Sequence, residues 1–285
     1  MRVILLLVLC LGLASINLTA STATVVRPAA NMYSRPAEDA DVVSQAIYGA
    51  NVELLEEVAN WAKVRTKDNY SGWMPMIDLI KSDRPYAEDL HAAQVASLFA
   101  NLYQEPSITR HRPVVTIPYE ARLEVVRDET IRNDHWFQVR LPDDRSAWVQ
   151  AGDLTFDFKN MPVPQIVEFS KRFLGLPYLW GGTSTFGYDC SGFTQMLCRR
   201  RGVVLPRDAG PQAAWSGVVE VDRADLQPGD LLFFGETPNK ITHTGFYIGN
   251  GEYIHATAKE KPVIQISRLD AEHPTHFFIT ARRPK

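Results

Sequence analysis

"GYDCSGF", residues 187–193, sets a cysteine between an aspartate and a serine where a Gly-rich loop gives way to a helix. The run "CSGFTQMLCRRRG" reads as that helix, stopped by Gly202. A cysteine in the first turn of a helix faces unpaired backbone N–H groups and the positive end of the macrodipole, and both favour thiolate over thiol. Cys198 lies eight positions further on, about 12 Å away at the rise of an α-helix. A disulfide tolerates about 7 Å between Cα atoms, so the two cannot pair if they share the helix. Among Phe193, Met196 and Leu197, Cys198 reads as a packing thiol. Upstream, "FKNMPVPQIVEFSKRFLGLPY" (158–178) is a Pro-broken linker followed by an amphipathic helix from Pro164 to Leu174. Downstream come short β-type runs: "GDLLFFG", "THTGFYIG", "EYIHATA", "VIQISRL" and "THFFITAR". Helices first and an antiparallel sheet afterwards predict an α+β domain over 158–285.

Seven histidines are available as a base. His91, His111 and His135 fall in the first half, and His273 and His276 flank Pro274 in a turn-like setting. His243 and His255 bracket a hairpin, "THTGFYIGNGEYIHAT". If Asn250 centres a three-residue loop, paired residue numbers sum to 500, His255 faces Gly245, and His243 lies one diagonal step away on the same face. A two-residue Asn250-Gly251 turn makes the sum 501 and separates the histidines; the sequence allows both turns. With the first, Cys190, His243 and His255 supply nucleophile, base and orienting group in that order. The Gly-rich loop leaves room for substrate, and the Cys190 backbone N–H is a candidate oxyanion donor. A zinc site from Asp189, Cys190, His243 and His255 has suitable ligands but no closely spaced ligand pair; no metal or cofactor is expected.

The first half repeats itself. "ANMYSRP" (30–36) returns as "ANLYQEP" (100–106), and "WAKVRTKDNYSGWMPMIDL" (61–79) as "WFQVRLPDDRSAWVQAGDL" (136–154). In both copies two tryptophans stand twelve apart, Trp61 with Trp73 and Trp136 with Trp148. Short β-type segments separated by Asp, Asn, Gly and Pro turns predict a small, mostly antiparallel barrel for each copy. The copies resemble bacterial SH3-like domains, over 24–81 and 100–157. Between them, at 82–99, the spacing of Leu90, Ala93, Val95, Leu98 and Leu102 predicts a connecting helix.

Residues 1–23 read as an export signal: one positive charge, the apolar "ILLLVLCLGLA", and small residues ending at Ala23. The run is broken by Asn17 and Thr19 and is too short to span a membrane. Cys10 lies deep within it, which argues against a lipid anchor. The expected location is therefore outside the cytoplasm, either in the periplasm or extracellular and cell-wall associated, with no stable membrane insertion after cleavage. A net charge of -3 gives no electrostatic reason to expect nucleic acid as a partner. An exported chain with two thiols that cannot pair is unusual for that compartment, which singles out Cys190.

Four ordered blocks, "PYLWGGTSTFGYDCSGFTQ" (177–195), "LPRDAGPQA" (205–213), "LQPGDLLFF" (226–234) and "HTGFYIGNGEYIHA" (243–256), resemble the NlpC/P60 family of cell-wall cysteine peptidases. The resemblance implies a trimmed papain-like fold, with Cys190 as nucleophile, His243 as base and His255 as third residue. With SH3-like domains in front, it implies an endopeptidase that cuts between D-γ-glutamate and diaminopimelate or lysine in peptidoglycan stem peptides, often requiring a free N-terminal L-alanine. It further implies that Asp189 holds the substrate's ammonium together with a tyrosine of the first copy. Tyr70 in "NYSGW" is the first choice, with Tyr33 competing. Ser191, Trp180, Arg207 and Asp208 complete the expected substrate-binding set; Arg207 and Asp208 serve either to brace the pocket or as a surface pair. Some relatives carry a serine where this chain has Ala209, which removes one substrate hydrogen bond. Two other functions stay open: an endopeptidase or amidase acting on intact wall, and a non-catalytic wall-binding protein.

Overall fold

The computed structural model describes residues 21–88, 92–126, 135–259, 261–270 and 277–285. Strand alternation builds the first half: in "AANMY" Ala30 and Met32 point into a core, and in "SAWVQ" Ala147 and Val149 do the same. The first sheet contains β1 (Thr22–Val25), β2 (Ala29–Tyr33), β3 (Val42–Ile47), β4 (Asn51–Val58), β5 (Trp61–Arg65), β6 (Ser71–Pro75) and β7 (Leu79–Lys81). The second contains β8 (Ala92–Val95), β9 (Phe99–Tyr103), β10 (Val115–Pro118), β11 (Arg122–Val125), β12 (Trp136–Arg140), β13 (Ser146–Gln150) and β14 (Leu154–Thr155). Their orders are β3-β2-β6-β5-β4-β1-β7 and β10-β9-β13-β12-β11-β8-β14, the same path with every label raised by seven. The repeat therefore extends to topology. Among the described residues each strand order is antiparallel, as the sequence predicts, and open, ending on β3 and β7 or on β10 and β14.

Two expected boundaries move. The helix predicted over 82–99 does not form among its described residues: Ala92–Val95 is strand β8, all four residues buried, and Phe99 opens β9. Residues 89–91, including His91 and Leu90 of the expected stripe, lie outside the described residues. Most of the expected signal segment, with Cys10, lies outside them too, but its proposed end does not. Ala23 sits inside β1, 1% exposed and paired with both Val52 and Lys81. The Ser21 carbonyl accepts the Leu54 N–H at 2.8 Å. Cleavage after Ala23 would halve that strand.

Among the described residues, the C-terminal part is an antiparallel six-stranded sheet with three short α-helices. It contains α1 (Val163–Ser170), β15 (Thr183–Ser184), β16 (Gly187–Tyr188), α2 (Cys190–Arg199) and α3 (Ala209–Ala213). Then follow β17 (Val218–Val221), β18 (Leu231–Thr237), β19 (Lys240–Gly249), β20 (Glu252–Ala256), β21 (Ile264–Arg268) and β22 (Phe277–Pro284). The large sheet runs β17-β22-β18-β19-β20-β21. Helix α1 stops at Ser170 rather than Leu174, and Lys171–Phe173 continue as a 3-10 turn. Phe193, Met196 and Leu197 of α2 are fully buried with Phe233, Phe246 and Ile254 of the sheet. Each such side chain contributes about 1.5 to 3 kcal/mol of burial, so the helix is pinned along its length.

The three parts are joined head to tail. Tyr48, at the β3–β4 turn of the first copy, is buried in the core of the second with Leu123 and Leu141. Tyr119, at the matching β10–β11 turn, is buried in the core of the C-terminal part, against Phe169 and Phe173.

Candidate active site

Cys190 is the first residue of α2, and Asp189 caps the helix by accepting the Gly192 N–H at 2.7 Å. The loop before it folds back so closely that a Cβ on Gly192 would stand 2.2 Å from the Gly182 carbonyl oxygen. The glycines here thus serve close backbone packing against the helix start, beyond the substrate room expected of them. The Cys190 thiol is 8% exposed. Burial, reinforced by the Asp189 carboxylate, pushes it up to about 12. The backbone N–H groups of Thr244 and Ser191 and the Arg207 guanidinium pull the other way and lose. That runs against the expectation from the helix dipole: the surroundings of the sulfur favour its protonated form. The Thr244 N–H contact also fixes the sulfur beside β19, one residue from His243.

The hairpin resolves the parity question by using both turns. Asn250 and Gly251 have φ of 56° and 75°, the two left-handed residues of a tight turn, and Gly249 pairs with Glu252. A bulge between Tyr247 and Gly249 then shifts the register, so Tyr247 pairs with Tyr253 and Phe246 with Ile254. The sum returns to 500 before the histidines are reached. His243 Nε2 lies 2.6 Å from His255 Nδ1, and both rings are buried. His255 Nε2 lies 2.9 Å from Ser267 Oγ on β21.

Beside Cys190 lies a charged cluster that crosses from one part of the chain to another. Arg207, 2% exposed, forks onto Asp189 with Nη1 3.0 Å from Oδ1 and Nη2 2.6 Å from Oδ2. Its Nη1 also donates to Ser191 Oγ at 3.0 Å, and its Nε donates to Ser44 Oγ of the first copy at 2.9 Å. Ser191 Oγ in turn donates to Asp189 Oδ1 at 3.2 Å. Next to Arg207, the Asp208 carboxyl lies near the Tyr70 hydroxyl of the first copy, close enough for each to shift the other's titration. Burial pushes Asp208 up from the ordinary carboxylate range; Arg207 opposes this, while Asp189 and Asp68 add to it. The first copy is stitched on further by Gln195 Nε2 donating to Asp68 Oδ2 at 2.8 Å and the Thr183 N–H donating to Gln45 Oε1 at 3.2 Å. At Gly181 a Cβ would stand 2.8 Å from Val42 Cγ1.

Residues 175–283 match the NlpC/P60 family, and residues 32–79 match the bacterial dipeptidyl-peptidase Sh3 domain. A gamma-D-glutamyl-L-lysine dipeptidyl-peptidase of Bacillus cereus is 35% identical over 262 residues, covering 84% of this chain and 74% of that one. The chain belongs to the NlpC/P60 family. A dipeptidyl-peptidase 6 of Lysinibacillus sphaericus is 30% identical over 263 residues, covering 89% of this chain and 94% of its own. The crystal structure of an NlpC/P60 family protein from Bacillus cereus superposes with a TM-score of 0.79 at 28% identity, covering 93% of this chain and 99% of that one. The chain is accordingly a cysteine peptidase with an SH3-like domain at its N-terminus.

Within this NlpC/P60 domain the expected residues sort unevenly. His243 and His255 are brought together, and Cys190 lies beside the strand of His243. Asp189, Ser191 and Arg207 form one buried network, so Arg207 braces Asp189 and is not a surface residue. Tyr70 reaches the cluster through Asp208, whereas Tyr33 packs edge-on against Trp61 at 5.3 Å, as Tyr103 does against Trp136 in the second copy at 5.5 Å. Tyr33 is therefore half of a repeated aromatic pair. Trp180 stands 70% exposed beside Gly181, at the seam with the first copy. Ser44, Asp68 and Ser267 were not foreseen. Ser267 was accessible: in "VIQISRL" it stands opposite Tyr253, which puts it on the face of His255 one diagonal step away.

Proposed function

We propose that this NlpC/P60 peptidase hydrolyses the γ-D-glutamyl–diamino acid bond of peptidoglycan stem peptides, through Cys190, His243 and His255, with a free N-terminal amine on its substrate. What supports the reaction is the histidine pair. With His255 Nε2–H donating to Ser267 Oγ, His255 Nδ1 accepts the His243 Nε2–H, and the proton-accepting nitrogen of His243 is Nδ1. Cys190 attacks the γ-carbonyl as its proton passes to His243; the thioester forms and the diamino acid leaves with that proton. Water then attacks the thioester, giving its proton to His243 and releasing the glutamate carboxylate and the thiol. Burial raises the Cys190 thiol above its ordinary value, so the attack relies on His243 to take its proton.

The substrate class rests on the Tyr70–Asp208 contact. Asp189 already accepts from Gly192, Ser191 and both Arg207 nitrogens, so an ammonium has a better partner in Asp208. Asp208 is a half-buried carboxyl pushed up by its surroundings, with Asp189 and Asp68 near it, and a cation there lowers the energy of its charged form. The first copy, through Tyr70, Ser44 and Gln45, borders the cluster and favours a short peptide over polymer. The relative named gamma-D-glutamyl-L-lysine dipeptidyl-peptidase agrees with that choice. The second copy is read as a second SH3-like module, and the apolar N-terminal segment as an export signal ending before Ser21. The test is kcat/KM on L-Ala-γ-D-Glu-diaminopimelate and on its N-acetylated form. The free peptide is expected to be cut at least about tenfold faster; equal rates would move the substrate to intact wall. Cys190→Ala is expected to release no product, and retained activity would remove the mechanism.

A further inference from the structure

We infer that Glu120 of the second copy is a positioning residue for the nucleophile, acting through Arg199 at the far end of the helix that carries Cys190. The inference rests on the assignment of Cys190 as nucleophile. Its starting point is a difference between the two copies at one turn. Tyr48-Gly49-Ala50 in the first corresponds to Tyr119-Glu120-Ala121 in the second, just before β4 and β11. Both central residues are left-handed, Gly49 with φ 78° and Glu120 with φ 68°. Glycine adopts that conformation without penalty and an L side chain does not. At Gly49 no side chain fits, because a Cβ would lie 2.4 Å from the Arg122 carbonyl oxygen of the second copy. At Glu120 the same turn faces the C-terminal domain, and the strained conformation is kept with a side chain present.

That side chain makes one strong contact. Arg199 forks onto it, Nε to Oε1 at 3.2 Å and Nη2 to Oε2 at 2.6 Å. The Glu120 side chain is 8% exposed and that of Arg199 41%. Arg199 is the last residue of α2 and Cys190 the first. The neighbouring Tyr119 packs against Phe169 and Phe173 in the same core as Phe193, Met196 and Leu197. The turn therefore holds the C-terminal end of α2 by charge and its surroundings by packing, and a rigid helix of ten residues transmits the placement to the sulfur. Charge at that end also suits the helix, since a cation belongs at a C-terminus and Glu120 fixes where it sits.

The experiment compares Glu120→Gly, Glu120→Gln, Arg199→Gln and the double variant Glu120→Gln/Arg199→Gln, all in a Cys198→Ala background. Glu120→Gly installs the residue the first copy already uses, so the turn is expected to fold, with Tm within a few degrees of the parent. Two rates are read at a temperature well below Tm: kcat and KM on the free tripeptide, and second-order alkylation of Cys190 by iodoacetamide. The expected result is about a tenfold fall in kcat for each single variant, KM within about twofold, and a parallel fall in alkylation. The double variant is expected to be no slower than either single one, as for two residues acting as one unit. Unchanged kcat in Glu120→Gly overturns the inference. So does a fall in kcat that tracks a large loss of Tm, which marks a merely structural tie. If Cys190→Ala stays active, the nucleophile assignment has failed instead.

Discussion

Cys190 is raised, not lowered, by its surroundings, and the causes can be separated. Desolvation and Asp189 oppose the thiolate; two backbone N–H groups and Arg207 favour it without prevailing. Removing the base therefore does not leave a reactive anion. In His243→Ala, alkylation of Cys190 by iodoacetamide is expected to stay slow through pH 9 and to keep rising beyond it, since its proton leaves only near a value of about 12. The measurement is the alkylation rate against pH, and a plateau below pH 8 contradicts the assigned direction. For Ser267 the expectation is graded. In the proposed mechanism it orients the residue that orients the base, so Ser267→Ala is expected to lower kcat by about three- to tenfold, roughly the net worth of one hydrogen bond. His255→Ala is expected to cost more, and His243→Ala most of all. Cys190 and the two histidines could be singled out from local sequence because a helix start and a hairpin carry them, though whether the histidines meet was left open between two turns. Arg207, Asp208 and Tyr70 could be named but not connected, since their partners lie 16 residues and more away, as in the Arg207–Ser191 and Arg207–Asp189 pairs.

At the scale of elements, one overlooked register explains two displaced boundaries. "TATVVRPAANMY" (22–33) aligns with "AAQVASLFANLY" (92–103) at a constant offset of 70, so the repeat begins eight residues before the "ANMY" and "ANLY" that reveal it. Followed backwards, it places a strand at Thr22–Val25 and another at Ala92–Val95, as the fold has them. Ala93, Val95, Leu98 and Leu102 fit a helical stripe only because a strand and a turn happen to space them that way. In the hairpin, by contrast, the sequence held both turns and the fold used both: the tight turn at the tip and a bulge that restores the pairing. An alternation pattern cannot reveal a bulge whose residues are all compatible with either register. The first strand yields a prediction. A chain beginning at Thr24 loses the pairings of Thr22 and Ala23 and the carbonyl that Leu54 uses, at a cost on the order of 1 to 3 kcal/mol. Its first unfolding transition is expected several degrees below that of a chain beginning at Ser21. Identical transitions would return the processing point to Ala23.

Across the whole molecule the repeat is used as a connector. Each copy inserts the tyrosine of one turn into the core of the part that follows, Tyr48 into the second copy and Tyr119 into the peptidase domain. This fixes the order of the three parts but does not by itself bring the first copy to the active site. That requires separate contacts, Ser44 to Arg207, Gln45 to Thr183, Asp68 to Gln195 and Tyr70 to Asp208. The two copies have thus taken different roles. The second supports the catalytic helix, while the first borders the place where the substrate's amine is expected. If Asp208 holds that amine and Tyr70 holds Asp208, two substitutions should act on the same substrate difference. Asp208→Asn removes the charge and is expected to bring kcat/KM for the free peptide down by about ten- to hundredfold, close to the N-acetylated one, because a hydrogen bond to a charged group contributes about 1.5 to 3 kcal/mol. Tyr70→Phe keeps the charge and loosens its orientation, so a smaller fall on the free peptide and little change on the acetylated one are expected. Both are measured against Asp189→Asn, which keeps a capping oxygen but removes the charge that pairs with Arg207, and is expected to slow both peptides together. If Asp189→Asn instead abolishes only the free-amine advantage while Asp208→Asn lowers both rates, the two aspartates have exchanged roles, with Asp189 taking the ammonium despite its crowded carboxylate.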